Sequence, residues 1–182
     1  VNKSLEHIIN ECKKQNSEAQ KALYDMYKDT MYAVCLRYIK SAQDAEDVFI
    51  EAFFKVYDKI SSYKGDGSFE GWVRRIMINE CLMWLRKRNN LHMTVEISDK
   101  DMLQHSEELP PIEEFSEVLS MLDELPTGYR TIFNLYVFEK LKHREIAEQL
   151  GISINTSKSQ LILAKKKLLD IYKKKHKSVQ IK

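Results

Sequence analysis

Apolar residues recur at spacings of three and four along most of this chain, the period of helices that bury one face. Residues 4–13 carry Leu5, Ile8, Ile9 and Cys12, enough for one short amphipathic helix. Residues 18–39 extend the pattern through Ala22, Leu23, Met26, Tyr27, Met31, Val34, Cys35, Tyr38 and Ile39. Ser41 followed by Asp44 has the spacing of a capping box. The helix it opens carries Ala45, Val48, Phe49, Ala52, Phe53, Val56, Tyr57 and Ile60. A run of turn formers, SSYKGDGS over residues 61–68, separates it from a fourth helix over 69–89. The inward residues there are Phe69, Trp72, Val73, Ile76, Cys81, Leu82 and Leu85, with Trp72 placed inside by its spacing from Ile76.

The period is lost over residues 90–111, which end in Pro110-Pro111 and read as a linker. Helical patterns resume at about 112–125, broken by Pro126 and Gly128, and then at 129–138, 142–150 and 153–175. No run has the alternation of a strand, and no internal repeat is visible. The fold class is therefore all-α: two small helical domains, residues 1–90 and 112–182, joined by a linker over 91–111. Five glycines and three prolines in 182 residues interrupt few of these helices.

The last two patterns form a helix-turn-helix. Leu141, Ile146, Ala147 and Leu150 make the inner face of the first helix. Gly151 supplies a left-handed turn, Ile152 packs beneath it, and Ser153 or Asn155 caps the next helix. There Leu161, Ala164 and Leu168 face the core, with Ser157 continuing their stripe. The opposite face carries Asn155, Lys158, Ser159, Ile162, Lys165 and Lys166. A polar, cationic helix of this kind fits the major groove of DNA, and His143 and Arg144 stand where phosphates would lie. Similar helix pairs also occur in proteins that bind no DNA, so the charge around this one matters.

Net charge is only +2, but it is unevenly spread. Residues 91–128 hold one lysine and ten acids, which makes the linker acidic, whereas residues 142–182 hold eleven Lys/Arg and three acids. The basic surplus on the helix-turn-helix favours an anionic polymer as its partner. Cys12, Cys35 and Cys81 are odd in number and widely spaced, with no CxxC pair, so neither a zinc site nor a disulfide framework is indicated. They sit among apolar neighbours, as small hydrophobes in a reducing cytoplasm. No signal-peptide pattern opens the chain, and no apolar run approaches a membrane span, so a cytoplasmic location is expected. An enzyme is not indicated. No nucleophile–base pair or phosphate-cradling loop is present, and His7, His92, His105, His143 and His176 are scattered. No cofactor, metal or small-molecule substrate is expected.

Two separate stretches resemble one family. LPTGYRTIFNLYVFEKLKHREIAEQLGISINTSKSQLILAKKKL, residues 125–168, resembles region four of bacterial sigma factors. DAEDVFIEAFFKVYDKI (44–60) and FEGWVRRIMINECLMWLRKR (69–88) resemble region two. Their order, with a short linker and no third domain, is similar to that of the extracytoplasmic-function group. The resemblance implies a factor that binds core RNA polymerase, through its β′ clamp helices and β flap, and directs initiation on double-stranded and then melted promoter DNA. It further implies that residues 1–90 engage the polymerase and the minus-ten element, that 112–182 read the minus-thirty-five element, and that the linker threads towards the polymerase active centre. An anti-sigma factor that covers these surfaces is a further partner such a factor can have.

The resemblance also assigns roles by position. Asp44, Asp47, Glu51 and Phe53 match the segment that docks on the clamp helices, with Ile50 standing where the family often has Gln. Phe69, Trp72, Ile76 and Asn79 match the element that engages the minus-ten sequence, beside a basic track of Lys64, Arg74, Arg75, Arg86, Lys87 and Arg88. The glycine loop before Phe69 is placed to shape a pocket for a flipped base. Thr156, Lys158, Ser159, Ile162 and Lys165, with Arg144 and Asn155, match the upstream reader. Gln160 and Leu163 replace arginines favoured by the family, and Ser157 replaces a buried valine. The competing reading is a dimeric helix-turn-helix regulator that binds an operator without polymerase. Its usual sensing domain of alternating strands and helices has no counterpart in the first 90 residues. An all-helical adaptor that binds only protein is disfavoured by the basic reading helix.

Overall fold

The computed structural model describes residues 4–88 and 115–177. The acidic linker, the first residues of the helix expected from about 112, and His92 and His105 lie outside the described residues. The chain divides into two compact units, Val1–Lys87 and Arg88–Lys182. Every regular element among the described residues is helical. No helix among them is long and apolar enough to cross a membrane.

The first unit contains α1 (Leu5–Lys13), α2 (Ser17–Tyr38), α3 (Ala42–Lys59), a 3₁₀ turn (Ile60–Ser62) and α4 (Phe69–Lys87). A short polar side chain starts each of the first three. Ser4 Oγ accepts from His7 N–H at 3.3 Å, Asn16 Oδ1 from Ala19 N–H at 3.0 Å, and Ser41 Oγ from Asp44 N–H at 3.2 Å. Each such cap contributes about 1 kcal/mol. Helices α2, α3 and α4 pack on one another, and α1 lies against α2 and the 3₁₀ turn. Leu23, Met31, Cys35, Ala45, Ala52, Val56, Met77 and Cys81 fill the centre. Along the α2–α3 seam, Phe53 meets Tyr24 edge-on at 5.1 Å and Phe49 at 5.3 Å. Beyond them the Tyr57 hydroxyl donates to the Gln20 carbonyl at 2.9 Å, and burial pushes its pKa up to about 12. Lys55 of α3 pairs with Glu80 of α4, whose carboxylate is almost fully buried.

Cys12, Cys35 and Cys81 are all buried and free. The Cys81 thiol is held well above its usual range, first by its hydrogen bond with Cys35 and then by burial. Both effects keep it protonated and unreactive.

Two expected faces are corrected. Met26 is 50% exposed. The buried arc of α2 advances through Ala19, Leu23, Met31, Val34, Cys35 and Tyr38, mostly by steps of three and four, and leaves Met26 outside it. In α4 the buried residues are Phe69, Val73, Met77, Ile78, Glu80, Cys81, Leu82 and Leu85, while Trp72 and Ile76 are only half-buried. Because α4 packs on both α2 and α3, its buried arc is wider than one stripe and turned past Ile76. Trp72 leans on Phe69 at 5.5 Å and Tyr63 at 5.6 Å, at the loop end of the helix.

The second unit contains α5 (Phe115–Asp123), α6 (Thr127–Phe133), a π-helical turn (Asn134–Phe138), α7 (His143–Leu150) and α8 (Ile154–Lys177). Helices α5, α6 and α7 all pack on α8. The helix expected over 129–138 changes character at Asn134. The Asn134 amide donates to the Arg130 carbonyl at 2.9 Å, and Glu139 N–H closes on the Asn134 carbonyl at 3.1 Å. Leu141 N–H then reaches the Leu135 carbonyl at 3.0 Å across Lys140, which takes a left-handed φ of 58°. Arg130 is 1% exposed and donates to Asp123 Oδ1 at 2.6 Å, which joins α6 to the end of α5. Burial lowers its pKa and Asp123 opposes that fall.

Adjacent phenylalanines give a direct check on this packing. Phe53 is 3% exposed and Phe54 65% exposed. Phe53→Ala is expected to cost about 3–5 kcal/mol of unfolding free energy as a core truncation. Phe54→Ala should stay within about 0.5 kcal/mol, as an exposed substitution. Urea unfolding followed by far-ultraviolet circular dichroism reads both.

Candidate functional site

The helix-turn-helix is built by local rules. Lys142 N–H donates to the Glu145 carboxylate at 2.7 Å and starts α7. Gly151 ends α7 with φ 68°, a conformation that side chains other than glycine resist. Ser153 Oγ accepts from Thr156 N–H at 2.9 Å and starts α8, so Ser153 is the cap and Asn155 is not. The inner stripe of α8 is Ser157, Gln160, Leu161, Ala164, Leu168 and Ile171. Arg144, Asn155, Lys158 and Lys166 are exposed, and Thr156, Ile162 and Lys165 are half-buried at the edges of that outer face.

Two expected members of the outer face lie elsewhere. Ser159 is 4% exposed, and its hydroxyl donates to the Thr156 carbonyl at 3.1 Å. The buried arc of α8 is wide enough here to take in Ser159 together with Ser157, Gln160 and Leu161. His143 does not simply reach outwards. Its Nδ1 lies 2.9 Å from Ser157 Oγ, and its ring stacks on Tyr136 at 4.8 Å with a 24° tilt. Burial lowers its pKa first, and Lys158 and Lys165 lower it further. The polar Ser157 on this inner stripe is explained by this bond. Gln160 is 1% exposed and its Oε1 has no hydrogen-bond partner within the described structure.

In the first unit, the outer side of α4 carries Arg75, Asn79, Met83, Arg86 and Lys87, with exposed Arg88 just beyond the helix. Arg75, Asn79, Met83 and Arg86 are three or four apart and share one face, with Lys87 at its edge. Arg74 is set aside from it. That residue is half-buried and pairs with Glu70 one turn earlier at 3.3 Å. Before α4, Gly65 and Gly67 take φ of 88° and 84°, which turns the loop so that Lys64 is exposed at its tip. The loop, α1 and the start of α4 line an open cavity of about 630 Å³ walled by Tyr27, Tyr63 and Phe69, with Glu6, Asn10, Lys13, Lys64 and Glu70 at its polar positions.

Helix α3 presents a second exposed face. Asp47 and Glu51 are exposed and Asp44 half-buried. Ile50 is 43% exposed, and Phe54 follows it one turn on. Phe53, expected to dock, is instead packed among Tyr24, Phe49 and Tyr57. Phe54 and Met83 were missed from the sequence. Ile50 and Phe54 at i and i+4 were the available signal for the first. A smaller cavity of about 210 Å³ between α2 and α3 reaches Ile50 and is lined by Tyr24, Tyr32 and Glu46. Among the described residues, no group of three or more His, Cys, Asp or Glu is placed to hold a metal ion.

Comparison with known proteins agrees with this arrangement. The pattern that defines Sigma-70 region 2 matches residues 23–90, and that of Sigma-70, region 4 matches residues 115–168. The ECF RNA polymerase sigma factor SigM of Bacillus subtilis is 30% identical over 155 residues, which span 82% of this chain and 93% of that protein. The RNA polymerase sigma factor SigV of the same organism is 29% identical over 144 residues, spanning 77% of this chain and 82% of the relative. In fold, the chain is similar to the sigma factor RpoE of Bartonella quintana, solved in complex with the anti-sigma factor NepR. The TM-score is 0.54 at 19% identity, over 84% of this chain and 96% of that one.

The inward face of α8 can be checked without reference to any promoter. Gln160→Leu removes a buried, unsatisfied amide oxygen, so it is expected to leave stability unchanged or raise it by about 1 kcal/mol. Duplex affinity should not change, because the side chain faces the core. Thermal melts and fluorescence anisotropy with duplex DNA measure the two effects.

Proposed function

The chain belongs to the extracytoplasmic-function group of sigma-70 factors, which direct transcription initiation, and on that premise we propose how it divides the work. The observation that carries the proposal is the split of α8 into a packed inner stripe and an outer face bearing Asn155, Lys158 and Lys166. That outer face, with Thr156, Ile162, Lys165 and Arg144, reads the upstream promoter element in the major groove. Lysines contribute sequence-independent attraction to phosphate, and the short polar side chains meet base edges. Residues 1–90 then hold the polymerase and the downstream element, and the acidic linker over 91–111 connects the two tasks.

The polymerase contact is α3. Asp47 and Glu51 flank Ile50 and Phe54, so an apolar ridge is bordered by carboxylates. Such a face suits a partner with an apolar groove and basic rims, and the clamp helices of the β′ subunit are that partner. The β flap is the corresponding partner of the helix-turn-helix domain. The outer face of α4 carries the melted strand. Arg75, Arg86, Lys87 and Arg88 track its phosphates while Asn79 meets a base. Opened DNA exposes unstacked bases, and the aromatic-walled cavity at the Gly65–Gly67 loop receives one of them. Lys64 stands at its rim. The role is non-enzymatic and cytoplasmic, without a cofactor, and an anti-sigma factor would act by covering the α3 and α4 faces. An operator-binding dimer is disfavoured because α3 exposes an apolar ridge that duplex DNA would not need.

Phe54→Ala and Asp47→Arg are each expected to weaken capture of core polymerase by tenfold or more, on the order of 1.4 kcal/mol, with folding intact. Pull-downs at matched circular dichroism melts test this. Wild-type capture by neither core enzyme nor holoenzyme assembly would instead favour the operator-binding regulator. Asn79→Ala should leave closed-complex binding within about twofold and impair strand opening, since base contacts in the downstream element arise after docking. Permanganate footprinting of unpaired thymines beside gel-shift of closed complexes separates the steps.

A further inference from the structure

We propose that His143 is a proton-linked contact of the upstream-DNA face, taking up a proton as the duplex binds. The inference rests on the reading of α8 as the helix that meets double-stranded DNA, and adds to it a coupled proton.

The geometry prepares the ring for both states. Ser157 Oγ lies 2.9 Å from Nδ1. A hydroxyl can donate to a neutral imidazole nitrogen and can equally accept from an imidazolium N–H, so the bond survives protonation. Tyr136 stacks on the ring at 4.8 Å, and a tyrosine face stabilises a cation better than a neutral ring. With Nδ1 committed to Ser157, Nε2 is the nitrogen left for an outside partner. His143 is the first residue of α7, beside exposed Arg144, at a helix end that favours anions.

The charges supply the coupling. Lys158 and Lys165 of α8 act on His143, and Lys165 Nζ stands 6.0 Å from the Tyr136 ring centre. Tyr136 is the titratable group facing it from the π-helical turn. On its own helix Lys142, Arg144 and Glu145 are near in sequence, with the Glu145 carboxylate engaged by Lys142 N–H. In the free protein partial burial, and after it the two lysines, hold the imidazole below its ordinary pKa. Phosphates arriving on this face would neutralise the lysines and attract a proton to His143 from solvent. Binding therefore raises the histidine pKa. By linkage, affinity is highest below the free-state pKa and falls as pH rises through the higher pKa of the complex.

The test uses the full chain and a 25-base-pair duplex of mixed sequence, because a backbone contact needs no particular promoter. NMR of histidine-labelled protein follows each imidazole through pH with and without duplex, and the resonance lost in His143→Gln identifies His143. The expected result is a midpoint raised by about one pH unit on duplex binding, with affinity about tenfold higher at pH 5.5 than at pH 8 at constant ionic strength. His143→Gln keeps a hydrogen-bonding group for Ser157 but cannot titrate, so it should lose that pH dependence and retain the alkaline affinity. A midpoint unmoved by bound duplex, or full pH dependence in His143→Gln, overturns the proposal while leaving the DNA reading of α8 standing. Absence of duplex binding at every pH overturns both. The wild-type titration decides the question even where the variant folds poorly.

Discussion

An α-helix has one circumference, and in α3, α4 and α8 that circumference must serve both a core and a partner. With 3.6 residues per turn, each residue added to the buried arc is lost from the outer one. The chain meets this constraint differently in each case. Helix α3 buries Ala45, Val48, Phe49, Ala52, Phe53 and Val56 in a clean stripe and keeps a full opposite face. Helix α4 buries a broader arc, including Ile78 and Glu80, because it packs on two neighbours. Helix α8 is packed on by three along its length, and its outer face is narrow near Ser159, where Ser157, Gln160 and Leu161 are buried too.

The Lys55–Glu80 pair shows how charge is managed under that constraint. Glu70 and Glu80 are the two acids of α4. Glu70 is engaged by Arg74, and Glu80 is drawn into the bundle by Lys55. The outer face of α4 is thereby left without a carboxylate along Arg75, Asn79, Met83, Arg86 and Lys87. A buried pair of this kind adds little net stability, since both charges lose water. Its value lies in the sign of the surface that remains, and in tying α3 to α4, the two helices proposed to hold the polymerase and the downstream DNA.

Much of this was legible in sequence. Helix order and most boundaries followed from spacing and from caps such as Ser41 and Ser153, whose chemistry is local. Gly151 announced its left-handed turn. What the sequence concealed depended on neighbours. Met26 fits a helical stripe, but only the position of α3 and α4 decides which stripe of α2 is covered. Phe53 and Phe54 are chemically identical, and a rotation of 100° separates a core residue from a surface one. The π-helical turn at Asn134 arises from a side-chain bond to the Arg130 carbonyl that no apolar period encodes. His143 looked like a surface cation because its partner, Ser157, lies fourteen residues away.

Helix α8 continues to Lys177, nine residues past the end of the region-four match at residue 168. The added turns are fastened to α5: Lys175 reaches Ser120 at 2.7 Å, and His176 reaches Glu117 at 3.0 Å. The whole 24-residue helix is about 36 Å long at 1.5 Å per residue. It is held near both ends, by the His143–Ser157 bond at its first turns and by this polar fastening at its last. Were either fastening lost, a tilt of about 5° about the other would sweep the released end through about 3 Å over that length, more than the ~0.5 Å window of a hydrogen bond. The pitch of the outer face proposed to meet DNA is thus fixed in part by a polar fastening at the far end of the same helix.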